Sequence, residues 1–372
     1  MTRINYTIIH LHSDYSLLDA CTHFSDYIEF VKQNGMTAIA STEHGLTRGW
    51  IEKKVLCDEA GIKFIHGVEM YLTEDLANPV RDNYHTVLLA KNMDGVRELN
   101  SLVSLSSRED HFYYVNRLSF DEFLGISDNV IKTSACLAGP LHKLDFSNPY
   151  FMRLLQHYDY LEVQPHLAEE QKEYNKKLLE FSKQYGIPLI AGTDTHSLNT
   201  YKAECRTILT IAKHKHYDDD GFDLTAKTYD ELVEMFRQQG VLPEEAYLQA
   251  IENTNRVAEQ CENWELDKKT KYPILYGSAE ADEEKFRQVV WDGLEDKLRR
   301  GVIPREQEAA FRASLAEELE VFHKLGMSGF MLSMSELIRW CKEHDIAVGP
   351  ARGSVGGSRC AYVSDIIDLD PE

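Results

Sequence analysis

At 372 residues, 43% hydrophobic and 27% charged, the chain has the make-up of a globular protein of two or three domains. No apolar run approaches the roughly 20 residues that cross a bilayer, and the opening MTRINYTIIHLHSDYS lacks the apolar core of a signal peptide, so no membrane role is expected. A formal charge of −21 argues against a protein that coats nucleic acid non-specifically, but leaves room for an enzyme that handles it through a local basic surface.

Seven cysteines lie scattered at 21, 57, 136, 205, 261, 341 and 360 without a CxxC pair, the pattern of reduced thiols in a cytoplasmic protein. In chain order, the first β-rich run is IIHLH (8–12). Strand side chains alternate between faces, so His10 and His12 point the same way, and Asp19 follows closely enough to reach back. Next comes an amphipathic helix, FSDYIEFVKQNG (24–35), then TAIAST (37–42), which ends on His44. WIEKKVLCDEAG (50–61) reads as a helix closing on Gly61. FIHGVEMYL (64–72) carries Glu69. The connection TEDLANPVRDNY (73–84) is too short for a helical crossover, so HTVLLA (85–90) should run antiparallel, with His85 at its start.

VIKTSA (130–135), YLEVQ (160–164) and PLIAGTD (188–194) complete seven runs, with a helix at EEQKEYNKKLLEFSKQYG (169–186). Alternating strands and helices predict parallel βα units, hence an α/β protein with a closed or nearly closed barrel. A doubly wound open sheet is the alternative. Residues 225–265 read as helical, 268–284 as a linker, and 284–300, 305–325 and 332–345 as further helices before GPARGSVGGSRCAYVSDIIDLDPE. The acidic run Asp218–Asp220 reads as a solvated loop. The basic stretches KHKH (213–216), KKTK (268–271) and LRR (298–300) read as solvated surface that could touch a DNA backbone.

Functional residues of βα barrels collect at the C-terminal ends of the strands. Those ends, with the start of the reversed strand, hold His10, His12, Asp19, His44, Glu69, His85, Cys136, Asp194 and His196. Taken singly, Cys136 fits core packing, Glu69 an ion pair and His85 a satisfied core histidine. Together they are better explained as ligands, because five of the fifteen histidines recur at strand ends. One zinc takes four ligands, so nine groups with bridging carboxylates suit two or three divalent ions. The donor mix favours Zn, Mn or Fe over Ca or Mg. Glu43 is expected to support a ligand rather than be one, and Glu162 is a weaker candidate at the same rim.

HLHSDYSLLDA, TEHG, GVEMY, HTVLLAKN, TSACLAG, YLEVQPH and GTDTHS resemble, in order and spacing, the PHP domain (polymerase and histidinol phosphatase). The version is the one at the N-terminus of bacterial C-family replicative DNA polymerases, the α subunit of polymerase III. FHKLGMSGFMLSMSELIRWCKEHDIAVGPARGSVGGSRCAYVSDIIDLDP resembles the first part of that family's palm. The resemblance covers nearly the whole chain. It implies a distorted (β/α)7 barrel over 1–270 and a mainly helical, partial palm over 271–372. All nine family ligand positions match the nine residues above.

Two positions depart from the family pattern. Glu43 stands where the family usually has Asp, and Ala351 where the palm loop usually has Gly, a strained choice if that position needs φ > 0. A PDFDVDF-like segment carrying the polymerase aspartates is absent, so the resemblance implies a second polypeptide bearing the rest of the polymerase, and no polymerisation by this chain alone. It further implies metal-dependent phosphodiester hydrolysis at a DNA primer 3′ end, a proofreading 3′–5′ exonuclease, with His12, Asp19 and Asp194 catalytic. Arg352, Gly353, Ser354, Gly357 and Ser358 would face an incoming nucleotide's phosphates. A stand-alone small-molecule phosphatase leaves the palm-like segment unexplained. A non-catalytic scaffold braced by metals leaves the complete ligand set without a task.

Overall fold

The computed structural model describes residues 5–78, 80–213, 221–269 and 271–371. Pro79, residues 214–216 of the KHKH run, the acidic run Asp218–Asp220 and Thr270 lie outside the described residues. The chain divides into two compact units, Met1–Glu265 and Leu266–Glu372.

The first unit contains strands β1 (Ala38–Ser41), β2 (Lys63–Thr73), β3 (Tyr84–Ala90), β4 (Leu118–Ser119), β5 (Val130–Thr133), β6 (Leu161–Val163) and β7 (Leu189–Ala191). β1 and β2 pair in parallel, β3 runs antiparallel to both β2 and β5, and β6 and β7 are parallel. The reversal of β3 follows from its short connection, as the sequence predicts. Two seams close the ring. Between β5 and β6 there is a single bridge, Thr133 to Tyr160. The run at 8–12, expected as a full strand, makes only isolated bridges, Ile8 to Ile39 of β1 and Leu11 to Thr195 beyond β7. His12 N donates to Thr195 O at 2.7 Å and Thr195 N to His10 O at 3.1 Å. The staves therefore run 8–12, β1, β2, β3, β5, β6, β7 and back to 8–12. This is a closed, distorted seven-stave barrel, and the open-sheet alternative is ruled out.

Small and branched side chains fill the barrel: Ile9, Ala38, Ala40, Ile65, Val87, Leu89, Ile131 and Ile190 are all buried in one cluster. The helices Phe24–Gln33, Trp50–Ala60 and Glu169–Tyr185 form where the sequence predicts them. The first buries Phe24, Tyr27, Ile28 and Val31 along one stripe. The other two stop at Gly61 and Gly186, both left-handed (φ 71° and 72°). β4 is a two-residue strand at the entry to a helix capped by Ser119 and Glu122; its shortness hides it from pattern reading.

Helix Glu244–Gln260 floors the barrel at the N-terminal ends of the strands. Asn253 Nδ2 donates to Leu189 O, the first residue of β7, at 2.7 Å. Lys63 Nζ, at the start of β2, donates to Ala258 O and Cys261 O at 2.8 and 3.0 Å. With the floor covered, the opposite mouth is the open end.

The second unit is helical: Ala279–Arg299, Glu308–Lys324, Ser328–Glu343 and Arg359–Val363. They share a core of Phe286, Val290, Leu294, Phe311, Leu315, Leu319 and Leu332. The predicted linker is shorter than expected because the first helix begins at Ala279, where Ser278 Oγ caps Ala281 N at 3.1 Å and Glu280 and Asp282 favour the positive helix end. The third helix likewise starts four residues before the expected 332. Gly293 lets helix Ala279–Arg299 touch Arg359–Val363: a Cβ there would stand 1.9 Å from Val363 O. Gly293→Ala should therefore destabilise this unit by about 1–3 kcal/mol, read as an earlier midpoint in urea unfolding of the full chain. An unchanged midpoint would show that the crossing can relax.

Candidate metal centre

The nine predicted ligands converge at the open mouth. His10 and His12 come from the 8–12 stave, Asp19 from the turn after it, and His44 from the loop after β1. Glu69 and His85 lie on β2 and β3, and Cys136, Asp194 and His196 follow β5 and β7. Glu69 is the hub. Its Oε2 lies 2.6 Å from His44 Nδ1 and 3.3 Å from His12 Nε2; its Oε1 lies 3.7 Å from His10 Nε2 and touches His85 Nδ1. Cys136 Sγ is 3.8 Å from that same His85 nitrogen. Asp19 Oδ2 takes His44 Nε2 at 2.8 Å and His196 Nε2 at 3.2 Å. Asp194 Oδ1 lies 3.2 Å from His10 Nε2 and 3.3 Å from His12 Nε2.

Backbone strain accompanies these residues. Leu18 beside Asp19, Ala135 beside Cys136, and Asp194 itself hold φ of 69°, 53° and 47°, each costing about 1–3 kcal/mol that surrounding contacts must offset. Gly192 has a different reason. A Cβ there would come within 2.2 Å of Glu162 Oε1, so a bare backbone leaves room for a carboxylate that serves His10.

Each inner imidazole is oriented by its other nitrogen. His10 Nδ1 meets Glu162 Oε1 at 2.8 Å, and Thr133 Oγ1 and Gln164 Nε2 donate to the same carboxylate at 3.0 and 2.8 Å. His12 Nδ1 meets Ser16 Oγ at 3.0 Å, and that hydroxyl donates onward to Glu43. His196 Nδ1 donates to Asp194 O at 2.7 Å. With Nδ1 as the donor, Nε2 of each presents a lone pair inward, the orientation of metal-bound histidine.

This arrangement fits cations. His10 Nε2, His12 Nε2, Glu69 Oε1 and Asp194 Oδ1 are buried without a hydrogen-bond partner, a state that is costly unless something positive lies between them. Three triplets hold their donor atoms within 4.8 Å of one another: His12–His44–His196, His10–His12–Glu69 and Glu69–His85–Cys136. The electrostatics agree. Burial would lower the pKa of His10, but Glu162 and Asp194 outweigh it and favour positive charge there. Burial would raise Glu69, but His85 and His44 hold it well below the usual carboxylate range. His12, buried and beside His44 and His196, is pushed down to about 3 and stays neutral.

Helix-borne residues missed by sequence reading brace this set. Arg206 Nη2 reaches Asp19 Oδ1 at 3.0 Å, and its Nε donates to Asp19 O at 2.8 Å. Glu43 is buried against Lys53 Nζ at 2.5 Å and also accepts from Ser13 and Ser16. It belongs to none of the ligand triplets. Burial alone would raise Glu43; Lys53 and His12 bring it below its ordinary value. A lysine and an arginine on amphipathic helices carry no pattern that sets them apart from solvated ones.

In the second unit, Arg352, Gly353, Ser354 and Gly357 are exposed. Ser358 is engaged: its Oγ donates to Glu318 Oε2 at 2.6 Å, and Arg359 N and Cys360 N donate to the same carboxylate at 3.0 Å. Glu318 thus holds backbone donors that a phosphate would need. The strain anticipated at Ala351 is absent, since the left-handed residue of this loop is Gly353 (φ 66°). In the LRR stretch, Leu298 is core and Arg299 and Arg300 pair with Asp296.

Residues 9–189 match the family model described as PHP domain, and residues 284–372 the one described as bacterial DNA polymerase III alpha NTPase domain. DNA polymerase III subunit alpha of Borreliella burgdorferi is 31% identical over 99% of this chain and 33% of its own length. That of Treponema pallidum is 30% identical over 100% of this chain and 33% of its own length. The chain spans about a third of the length of these relatives. Among solved structures, endonuclease Q in complex with a 27-mer duplex aligns at TM-score 0.39 and 15% identity, over 77% of this chain and 79% of that one.

Two outcomes are expected of the bracing residues. Ser16→Ala removes the acceptor that fixes the His12 ring and should weaken metal binding about 10–100-fold, measured by Zn²⁺ or Mn²⁺ titration. Lys53→Met leaves Glu43 buried without its counter-charge and should cost about 3–5 kcal/mol at pH 7 in urea unfolding. Glu43's depressed pKa makes its contribution complete above the ordinary glutamate value of about 4.3 and lost as pH falls through its folded value. The variant's Glu43 would titrate higher, so its deficit against wild type should shrink between pH 7 and pH 4. A constant deficit would contradict the pairing.

Proposed function

Since the chain belongs to the bacterial DNA polymerase III α family, whose N-terminal third it matches, we propose that its barrel hydrolyses phosphodiesters at DNA 3′ ends, as a metal-dependent proofreading exonuclease. The observation that carries this reading is the convergence of four buried, unpartnered donor atoms at the open mouth: His10 Nε2, His12 Nε2, Glu69 Oε1 and Asp194 Oδ1.

His10, His12, Asp19, His44, Glu69, His85, Cys136, Asp194 and His196 would hold two or three divalent ions. When bound, such ions supply Lewis acidity: they acidify water and offset the charge on phosphoryl oxygens. The protein's part is orientation and proton handling. Arg206 fixes Asp19, Glu162 fixes His10, and the Glu43–Ser16 pair fixes His12. Cys136 would be among the groups that hold the ions, so its sulfur would be engaged rather than free to attack, and water would be the attacking group. His12, Asp19 and Asp194 would be the catalytic groups, assisting that water's loss of a proton and the departing oxygen's gain of one. The product is a nucleoside monophosphate.

The DNA partner is a primer 3′ end, and the remaining two thirds of the family's length would come from further polypeptide, in a cytoplasmic replication complex. No helix among the described residues is long and apolar enough to cross a membrane. Arg352, Gly353, Ser354 and Gly357 would face an incoming triphosphate in that assembly; Ser358 could join them only by releasing Glu318.

This chain supplied with Mn²⁺ or Zn²⁺ should shorten labelled single-stranded DNA from its 3′ end, and EDTA should stop it. His12→Ala and Asp194→Ala should each lower the rate by more than about 100-fold, beyond the loss typical of residues one layer out. Wild type and both variants losing label at one slow rate would defeat the exonuclease reading.

A further inference from the structure

The motif YLEVQPH ends on a histidine that the metal centre does not use. His166 is fully buried, and neither Nδ1 nor Nε2 has a hydrogen-bond partner. Among the described residues no other buried imidazole leaves both nitrogens without one. It belongs to none of the ligand triplets.

Its backbone is held fast. Gln239 Nε2 donates to His166 O at 2.6 Å and to Gln164 O at 2.9 Å. Asn175 Nδ2 ties Gln164 O and Gln239 Oε1 together, both at 2.8 Å. A rigid loop that presents an unsatisfied imidazole needs a reason, because burying two polar atoms without partners is costly.

The ring lines a cleft of about 270 Å³ with Pro165, Phe222, Asp223, Met235 and Gln238. The Phe222 ring lies 5.1 Å from the His166 ring, tilted by 51°. Hydrogen bonds place this cleft at the mouth of the barrel. Leu167 N donates to Gly221 O at 2.9 Å, joining the far wall to the loop after β6. His196 N and Ser197 N donate to Leu224 O at 2.9 and 3.1 Å, joining the same wall to the ligand loop after β7. Burial pushes His166 down to about 4, outweighing the pull of the Asp194 and Asp223 charges. The neutral ring offers one donor and one acceptor. Gln238 offers its carbonyl oxygen and the N–H not given to Glu234 Oε1, and Asp223 adds its second carboxylate oxygen, Oδ1 being held by Thr225 and Lys227.

A neutral imidazole beside a carboxylate is a poor anion site. The lining suits a flat heteroaromatic ring whose edge carries adjacent donors and acceptors: Phe222, Met235 and Pro165 would meet its faces, and Gln238 and His166, its buried ring turned toward the cleft, would read its edge. The volume lies near the lower end of small-molecule sites, about 300 Å³. We propose that this cleft receives the nucleobase of the nucleotide whose phosphodiester lies at the metal centre. The proposal rests on the nuclease reading and supplies what metals alone cannot, a preference for nucleic acid over other phosphoesters.

The test is calorimetric titration of the full chain, loaded with Mn²⁺, with dTMP, dAMP and deoxyribose 5-phosphate, which has the same phosphate and sugar but no base. Wild type should bind the nucleotides about tenfold tighter or better. Phe222→Ala and His166→Phe should each erase that gain while leaving bound metal and deoxyribose 5-phosphate affinity unchanged. Equal wild-type affinities for all three, or a gain that survives both substitutions, would overturn the proposal. The outcome is separable from the exonuclease assay: a base-dependent gain without strand shortening would sustain the cleft and sink the nuclease, and shortening without the gain would do the reverse.

Discussion

The carboxylate of Glu69 is the constraint around which the first unit is arranged. It is buried and faces His10, His12, His44 and His85, which come from three different stretches of chain. A buried carboxylate without positive or hydrogen-bonding neighbours would cost several kcal/mol. Those neighbours come together only when the ring of staves is complete, so fold and site are one condition: the barrel that closes is also the barrel that satisfies Glu69. The same closeness leaves donor atoms facing one another without hydrogen-bond partners, which is what makes this polar core a candidate cation site.

The reversed stave shows how topology widens the choice of ligand. In an all-parallel barrel only strand ends reach the mouth. Because β3 runs the other way, its first residues stand there, and His85 joins Glu69 and Cys136 in one triplet. The floor complements this. Helix Glu244–Gln260 engages the opposite ends of β2 and β7, so the helical stretch after 225 completes the barrel unit.

Much of this was legible in the chain because ligand chemistry and strand period leave local marks. His10 and His12 at i and i+2, the short connection before His85, and Gly61 and Gly186 after their helices can each be read without knowing what lies opposite. The illegible parts depend on what lies opposite. Lys53 and Arg206 look like surface residues of amphipathic helices until the fold brings Glu43 and Asp19 to them. Ser16 is one of many serines until His12 and Glu43 stand on either side. The 8–12 run has the alternation of a strand, but its pairing depends on both neighbours and thins to single bridges. The helix at Ala279 was masked by a linker-like composition, although its cap Ser278 and the acidic first turn were there to read.

The thinness of that last stave has a consequence for how the molecule breathes. His10 and His12 stand on one side of the join and Asp194 and His196 on the other, and the backbone across it is fastened by a reciprocal pair, His12 N to Thr195 O and Thr195 N to His10 O. An ion gripped from both sides would act as a clasp on a hoop. With the clasp undone, this seam would rest on that backbone pair and its few bridges, so the cargo of the mouth would also help keep the ring shut.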